Sequence, residues 1–413
     1  MAGQVEARAA DSGEVELRRA LGPWQLTGIG IGAIIGAGIF VITGQAAADH
    51  AGPAIVLSFV FACVGCAFAG LCYAELAAMI PASGGAYTYA YTAFGRLIGF
   101  MIGWDLCLEY GMAASTVAVG WGGYFQRLLG FAGIEVPAQF ASAPFAQAAD
   151  GSLIATDAIV NLPAIGVVAL LTAFLILGIR ASAGFNGAMV LLKVAIVLAV
   201  IIFGLPLISG ENLTPFIPEN TGTFGQFGWS GILAASGVIF FAYIGFDTVS
   251  VAAQEAKNPQ RDLPIGILGS LAICTVLYIL MSLTMVGLAN YTTLKVDAPV
   301  SVAIDAAGES LKWLSPWVVI GAITGLSTVI LVSLYGQTRI FYAMARDGFL
   351  PPVFAKIDPK SRTPVVSTLI IGVVVAAFAG LFPLDILGDM VSVGTLLAFI
   401  LVCVAVIVLR GGD

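Results

Sequence analysis

The sequence predicts an all-α polytopic membrane protein of ten spans, arranged as two sets of five that enter the membrane from opposite sides. Three observations carry this prediction. Hydrophobic residues make up 59% of the chain, charged residues only 10%, and the mean hydropathy is +1.01, more than any soluble domain needs. Apolar runs of about 20 residues, long enough to cross a hydrocarbon core of roughly 30 Å as helix, recur from residue 25 to residue 409. Two of these runs, the first and the sixth, are interrupted by glycine at corresponding places.

Residues 1–24 are polar and mixed in charge (ARAADSGEVELRRALG) and lack the apolar core of a cleavable signal, so they read as a soluble cytoplasmic tail. Polar and Pro/Gly breaks then place spans near 25–47, 53–80, 95–126, 158–178 and 185–209, and near 229–254, 264–289, 314–344, 365–382 and 387–409. The first repeat is thus 25–209 and the second 229–409. Because five is odd, the second repeat is inverted relative to the first. With a cytoplasmic N-terminus, 13 of the 17 Lys and Arg residues fall on that side, three fall outside (Arg127, Lys295, Lys312), and Lys193 lies within a span. The positive-inside rule therefore fixes the orientation, and a cell membrane is the expected location.

The first span carries GAIIGAGIF, Gly32 to Phe40, and the sixth carries SGVIFFAYIGFD, Ser236 to Asp247. Each glycine in a helix interior weakens it by about 1 kcal/mol relative to alanine. Close packing through small residues accounts for Gly28, Gly32 and Gly36, which have small-xxx-small spacing. It does not account for Gly38 or for the paired interruption. Matching breaks in the halves of an inverted repeat mark the substrate site of a transporter. Backbone groups freed at such a break are costly in a membrane unless something satisfies them. The free N–H groups and positive dipole at the start of the second half-helix suit a carboxylate, and the freed carbonyls suit an ammonium. An α-amino acid carries both on one carbon, although short amines or carboxylates could use half of the site.

The stretches GIGAIIGAGIF, HAGPAIVLSF, GLCYAELAAMIPASGGAYTY, GWDLCLEY, FFAYIGFDTVS, EAKNPQRDLPIGI and QTRIFYAMARDGFLP resemble the amino acid–polyamine–organocation superfamily. More narrowly, they resemble bacterial members of the cationic amino acid transporter family, from about residue 18 to the C-terminus. The resemblance implies a LeuT-type five-plus-five fold working by alternating access. It implies that Gly36, Ala37 and Gly38 form the substrate turn, with the N–H groups of Ala37 and Gly38 on the carboxylate. It places the carbonyls of Ile34, Phe241 and Ile244 on the amine, with Phe241 also the aromatic lid. Relatives have at least two further spans beyond the position of LRGGD, so the chain reads as either truncated or a short variant. Two positions depart from the family pattern: Ala181 and Gln254 stand where acidic residues are usual, which would alter cytoplasmic gate pairs.

Lys193, in VLLKVAIVLAV, lies about eight residues into the fifth span, roughly 12 Å at 1.5 Å per residue, too deep to snorkel readily. Burial of an ammonium favours its neutral form. In proton-coupled relatives a lysine of this span stands where sodium-coupled relatives hold sodium, so the resemblance makes Lys193 the carrier of the coupling proton. Glu109 is the expected partner carboxylate of Lys193, with Asp105, one turn earlier, as the substitute. Asp247 follows the second break and would cap or pin freed backbone, and Glu75, near the cytoplasmic end of the second span, has a solvated or intracellular-gate role or none. Ser327 and Thr328 could complete a sodium site, but with an ammonium available sodium is the weaker reading, and hydroxyls in membrane helices usually bond their own backbone.

The six cysteines lie in apolar runs and read as packing residues, with no metal site expected. His50, the single histidine, is assigned no role. No nucleophile–base pair, metal cluster or phosphate loop points to an enzyme, and no cofactor beyond a coupling proton is expected. The expected partners are an L-amino acid, small neutral or cationic, and the lipid bilayer, with no nucleic acid and no obligate protein partner. Two rivals stay open: an exchanger or facilitator without proton coupling, and more distantly a non-transporting sensor on a transporter fold.

Overall fold

The computed structural model describes residues 21–80, 85–148, 152–177, 183–251, 256–358 and 363–411. Ala181 and Gln254 lie outside them.

The chain is almost entirely helical. The first span begins as α1 (Pro23–Ile34), loses its regular winding at Ile35 and Gly36, and resumes as a stretch of π and α turns from Gly38 to Ala51. Then follow α2 (Ile55–Met79), α3 (Gly85–Phe94), α4 (Arg96–Phe131), α5 (Leu162–Ile176) and α6 (Ala183–Gly204). The sixth span is α7 (Gly228–Ile239), a 3₁₀ turn at Phe240–Tyr243 and the short α8 (Thr248–Val251). The remainder is α9 (Pro259–Leu288), α10 (Pro299–Ala306), α11 (Ser315–Arg346), α12 (Val365–Leu381) and α13 (Leu384–Arg410). Among the described residues, seven helical stretches are long and apolar enough to cross a membrane, and α5 and α12 are shorter apolar helices. An apolar helix without a polar stripe is stable where its whole circumference meets lipid or protein.

Three elements escape a reading of apolar runs: α3, α10 and a hairpin of β1 (Phe145–Gln147) paired antiparallel with β2 (Leu153–Ala155). All are short, and none is a continuous membrane-length apolar run. Each expected span has a counterpart in the observed helices. The largest boundary differences are five residues, at the ends of α4 and α6 and the start of α9.

The two breaks face one another at the centre of the bundle, and two glycines set how closely. A Cβ on Gly38 would stand 2.3 Å from Cα of Ala242, and one on Gly245 would stand 2.7 Å from the carbonyl carbon of Ala33. Gly245 also has φ +118°, which L side chains rarely adopt. Each break therefore admits the backbone of the other only because glycine is there. This corrects the expectation for Gly38, which is the tightest packing contact of the first break. Gly28, expected to pack, has nothing within 4 Å of its would-be Cβ, whereas Gly32 and Gly36 meet Val190 and Val329. The reason is rotational: the turn after Gly36 swings Gly38 over the 3₁₀ turn, while Gly28 stays on the open side of α1.

Candidate amino acid site

Where the first span unwinds, the usual i to i−4 hydrogen bonds lapse. The Ile35 N–H still reaches Ile31 O at 2.9 Å and the Phe40 N–H reaches Gly36 O at 3.3 Å. Between them, the N–H groups of Gly36, Ala37 and Gly38 have no partner among the described residues. They line a cavity of about 110 Å³ together with Ile34, Phe241 and Ile244. Glu109 and Asp247 contribute carboxylates to the wall. The sequence-derived site residues thus converge on one cavity, with Lys193 the exception.

Carbonyls freed by the break are taken by side chains from other helices. Lys193 is 1% exposed, and its ammonium donates to Gly32 O at 2.8 Å and to Ile35 O at 3.1 Å. Tyr278 on α9, fully buried, places its hydroxyl 2.7 Å from Ile34 O and 2.9 Å from Ala242 O, bridging the two breaks. The Tyr124 hydroxyl donates to Phe40 O at 2.6 Å. Of the three carbonyls expected for the amine, Ile34 O accepts from Tyr278 and Phe241 O accepts the Ile244 N–H at 3.1 Å. The Ile244 carbonyl has no partner among the described residues. A carbonyl has two lone pairs, so all three retain acceptor capacity.

The expected ion pair between Lys193 and Glu109 is absent among the described residues. Lys193 directs its donors to the α1 carbonyls, whereas Glu109 faces the cavity from α4 with Asp247 within electrostatic reach. Asp247 does pin the second break: its Oδ1 accepts the Gly245 N–H at 3.2 Å, and its own carbonyl accepts the Ser250 hydroxyl at 2.5 Å. The substitute Asp105 also lies on the Glu109 side of α4.

The hydroxyls considered for sodium are engaged locally. Ser327 donates to Ile323 O and accepts the indole N–H of Trp121 at 2.9 Å, and Thr328 donates to Gly325 O. Gly325 gives passage to the stem of Lys193, whose Cγ and Cδ stand 3.1 Å from where a Cβ would sit. The ammonium thus reaches the first break past α11. Farther out, Glu75 makes a two-pronged pair with Arg410 at 2.6 and 2.5 Å.

Tyr278 and Tyr124 were not singled out by sequence. The available signal was a phenol inside an apolar run, because a buried tyrosine hydroxyl in a membrane must find an acceptor.

A broken-helix cavity offering N–H groups and carbonyls agrees with the comparisons. A family model described as amino acid permease matches residues 21–412. The chain belongs to the amino acid permease family. Within the amino acid–polyamine–organocation superfamily, this permease is 46% identical over 403 residues to the branched-chain amino acid permease BcaP of Bacillus subtilis (strain 168). That match covers 97% of this chain and 83% of the relative. It is 44% identical over 406 residues to the methylthioribose transporter of the same organism, covering 98% and 84%. It is 40% identical over 403 residues to the vacuolar cationic amino acid transporter 4 of Arabidopsis thaliana, covering 97% and 64%. The crystal structure of MhsT in complex with L-phenylalanine superposes with TM-score 0.64 at 15% identity, covering 94% of this chain and 89% of that one. The permease therefore has a LeuT-type fold, is a multi-pass membrane protein, and is a transporter rather than an enzyme.

Proposed function

We propose that this permease is a proton-coupled symporter of L-amino acids, residing in the cell membrane with its N-terminus cytoplasmic and working by alternating access. The observation that carries the reading is one turn of backbone serving two chemistries. The N–H groups of Gly36, Ala37 and Gly38 face the cavity without partners among the described residues, while the carbonyls of Gly32 and Ile35 hold the Lys193 ammonium. A substrate carboxylate on those N–H groups and an amine toward Ile244 O complete the site. Phe241, 6% exposed and in the cavity wall, serves as the lid. Loss of the Lys193 proton removes the charge-assisted clamp on α1 and frees it to swing.

A cavity of about 110 Å³ is small beside the roughly 300–1,000 Å³ of pockets for drug-sized ligands. It suits a small neutral amino acid, and the similarity to a branched-chain amino acid permease supports that class. A cationic substrate is favoured by a different observation, the Glu109 and Asp247 carboxylates in the wall.

The test is uptake into proteoliposomes with and without an imposed pH gradient, after a thermal-shift screen of the L-amino acids has identified a ligand, since a ligand of the folded state raises its apparent stability. Gradient-driven accumulation is expected in the wild type and lost in Lys193→Ala. Accumulation indifferent to the gradient would leave an exchanger or facilitator.

A further inference from the structure

Opposite Lys193, the cavity ends in a group of acids with no cation among the described residues to neutralise them. Asp105 and Glu109 lie one helical turn apart on α4, and both face Gly394 of α13. A Cβ there would meet Asp105 Oδ1 at 3.4 Å and Cβ of Glu109 at 3.7 Å. Glu109 and Asp247 share the cavity wall, and the Tyr110 hydroxyl reaches Asp247 Oδ2 at 3.4 Å. Two carboxylate oxygens in this row, Oδ2 of Asp105 and Oε2 of Glu109, are buried without a hydrogen-bond partner among the described residues. Glu109 is 3% exposed and borders the cavity, so a buried polar side chain is aimed into it with an oxygen free to bind.

The described surroundings supply no counter-charge. The titratable groups facing these acids are Tyr73 of α2, Tyr89 of α3 and Tyr110 of α4. On α13 Thr395 lies beside Glu109, and Lys193 on α6 is committed to α1. Three like charges taken out of water together, with no cation beside them, are far costlier than a protonated set. Acid chains of this kind inside membranes serve as proton relays.

We propose that Asp105, Glu109 and Asp247 form a proton file, separate from Lys193, that connects the substrate cavity to the Arg96 end of α4. Asp105 is partly buried and lies one turn nearer that end, where the file opens; Glu109 and Asp247 are buried and border the cavity. In each step a carboxylic acid O–H breaks, a neighbouring carboxylate O–H forms, and the charge moves back by one residue. One proton enters at Asp247 and one leaves at Asp105, which is the cytoplasmic direction in the orientation proposed above. The file rests on the proton-coupled reading, because it supplies the return route that a single lysine clamped to α1 lacks.

Two measurements test it. In proteoliposomes, the ratio of gradient-driven uptake to counterflow exchange is expected to fall about tenfold in Asp105→Asn and to recover in Asp105→Glu. An unchanged ratio overturns the file. So does a Glu109→Gln variant altered only in its preference between cationic and neutral amino acids, which would make the carboxylate a side-chain partner of the substrate. Infrared spectroscopy of the purified ligand-free protein gives the second reading, independent of coupled transport. A protonated-carboxyl C=O band is expected, lost in Glu109→Gln or Asp247→Asn and retained in Lys193→Ala. Absence of that band in the wild type overturns the file whatever transport shows. If the band is present but uptake ignores the pH gradient, the symport reading fails while the acids still share a proton. Melting temperature and elution profile verify that each variant is folded.

Discussion

The two breaks solve the same physical problem in different ways. At the second, the chain supplies most of its own partners: the Asp247 carboxylate accepts the Gly245 N–H, the Ser250 hydroxyl closes on the Asp247 carbonyl, and the Ile244 N–H returns to Phe241 O, while Ala242 O shares the Tyr278 hydroxyl and Asp247 Oδ2 meets the Tyr110 hydroxyl. At the first, Phe40 and Thr43 of the same span serve Gly36 O and Gly38 O, but the other donors come from elsewhere, Lys193 from α6, Tyr278 from α9 and Tyr124 from α4. A break held by its own residues keeps its shape when neighbours move. A break held by three other helices takes whatever shape they dictate, which suits it to convert a protonation event into a helix movement.

The largest test of this contrast is at the contact between the breaks. Gly38→Val drives a side chain into Ala242 backbone that cannot yield, so it should abolish substrate-induced thermal shift and lower stability by about 3 kcal/mol in chemical or thermal melts. Next is Lys193→Met, which keeps the long stem beside Gly325 but leaves the Gly32 and Ile35 carbonyls short of a donor. Roughly 2 kcal/mol of stability should be lost, with the pH-gradient stimulation of uptake. Asp247→Asn, by contrast, retains an oxygen for the Gly245 N–H and should melt nearly as wild type. A drop as large as that of Lys193→Met would erase the distinction between the breaks. Tyr278→Phe removes one hydroxyl and should cost about 1 kcal/mol, with a double-mutant cycle showing coupling to Lys193 greater than to Asp247.

The smallest expected effect lies outside the membrane. Asp297, between α9 and α10, is held up at about 6 from an ordinary value near 3.8, first by burial and then by the nearby Asp385 carboxylate. The folded protein therefore binds this proton more tightly than the unfolded chain does. Stability from this group should rise as pH falls from 7 through 6 toward 4, and be lost again as pH rises. Melting temperatures across that window, compared with Asp297→Asn, should show the slope in the wild type and its reduction in the variant.

Much of this architecture was legible in the residues, for a simple reason. A bilayer demands long apolar runs, so α4, α9, α11 and α13 announce themselves, and glycine pairs in two of the runs announce the breaks. Cavity residues Ile34, Gly36, Ala37, Gly38, Phe241 and Ile244 followed from motif position, and Lys193 from the cost of an ammonium at that depth. What stayed hidden depends on rotation and distance rather than on composition. Glu109 and Lys193 looked like partners because they are opposite charges inside apolar spans, yet they point to different sides of the first break. Gly28 and Gly38 exchanged roles because an unwound turn changes which face each presents. Tyr278 is one phenol in an apolar helix, and nothing in the run marks the two carbonyls it meets.

That tyrosine carries one further consequence. Its hydroxyl has a single hydrogen, yet both Ile34 O and Ala242 O lie within bonding distance. At any instant one carbonyl is served and the other is not, and a rotation of one O–H reverses the two. The two breaks thus share one donor hydrogen, and in the amino acid reading proposed above a substrate ammonium, arriving with three, would supply the other carbonyl.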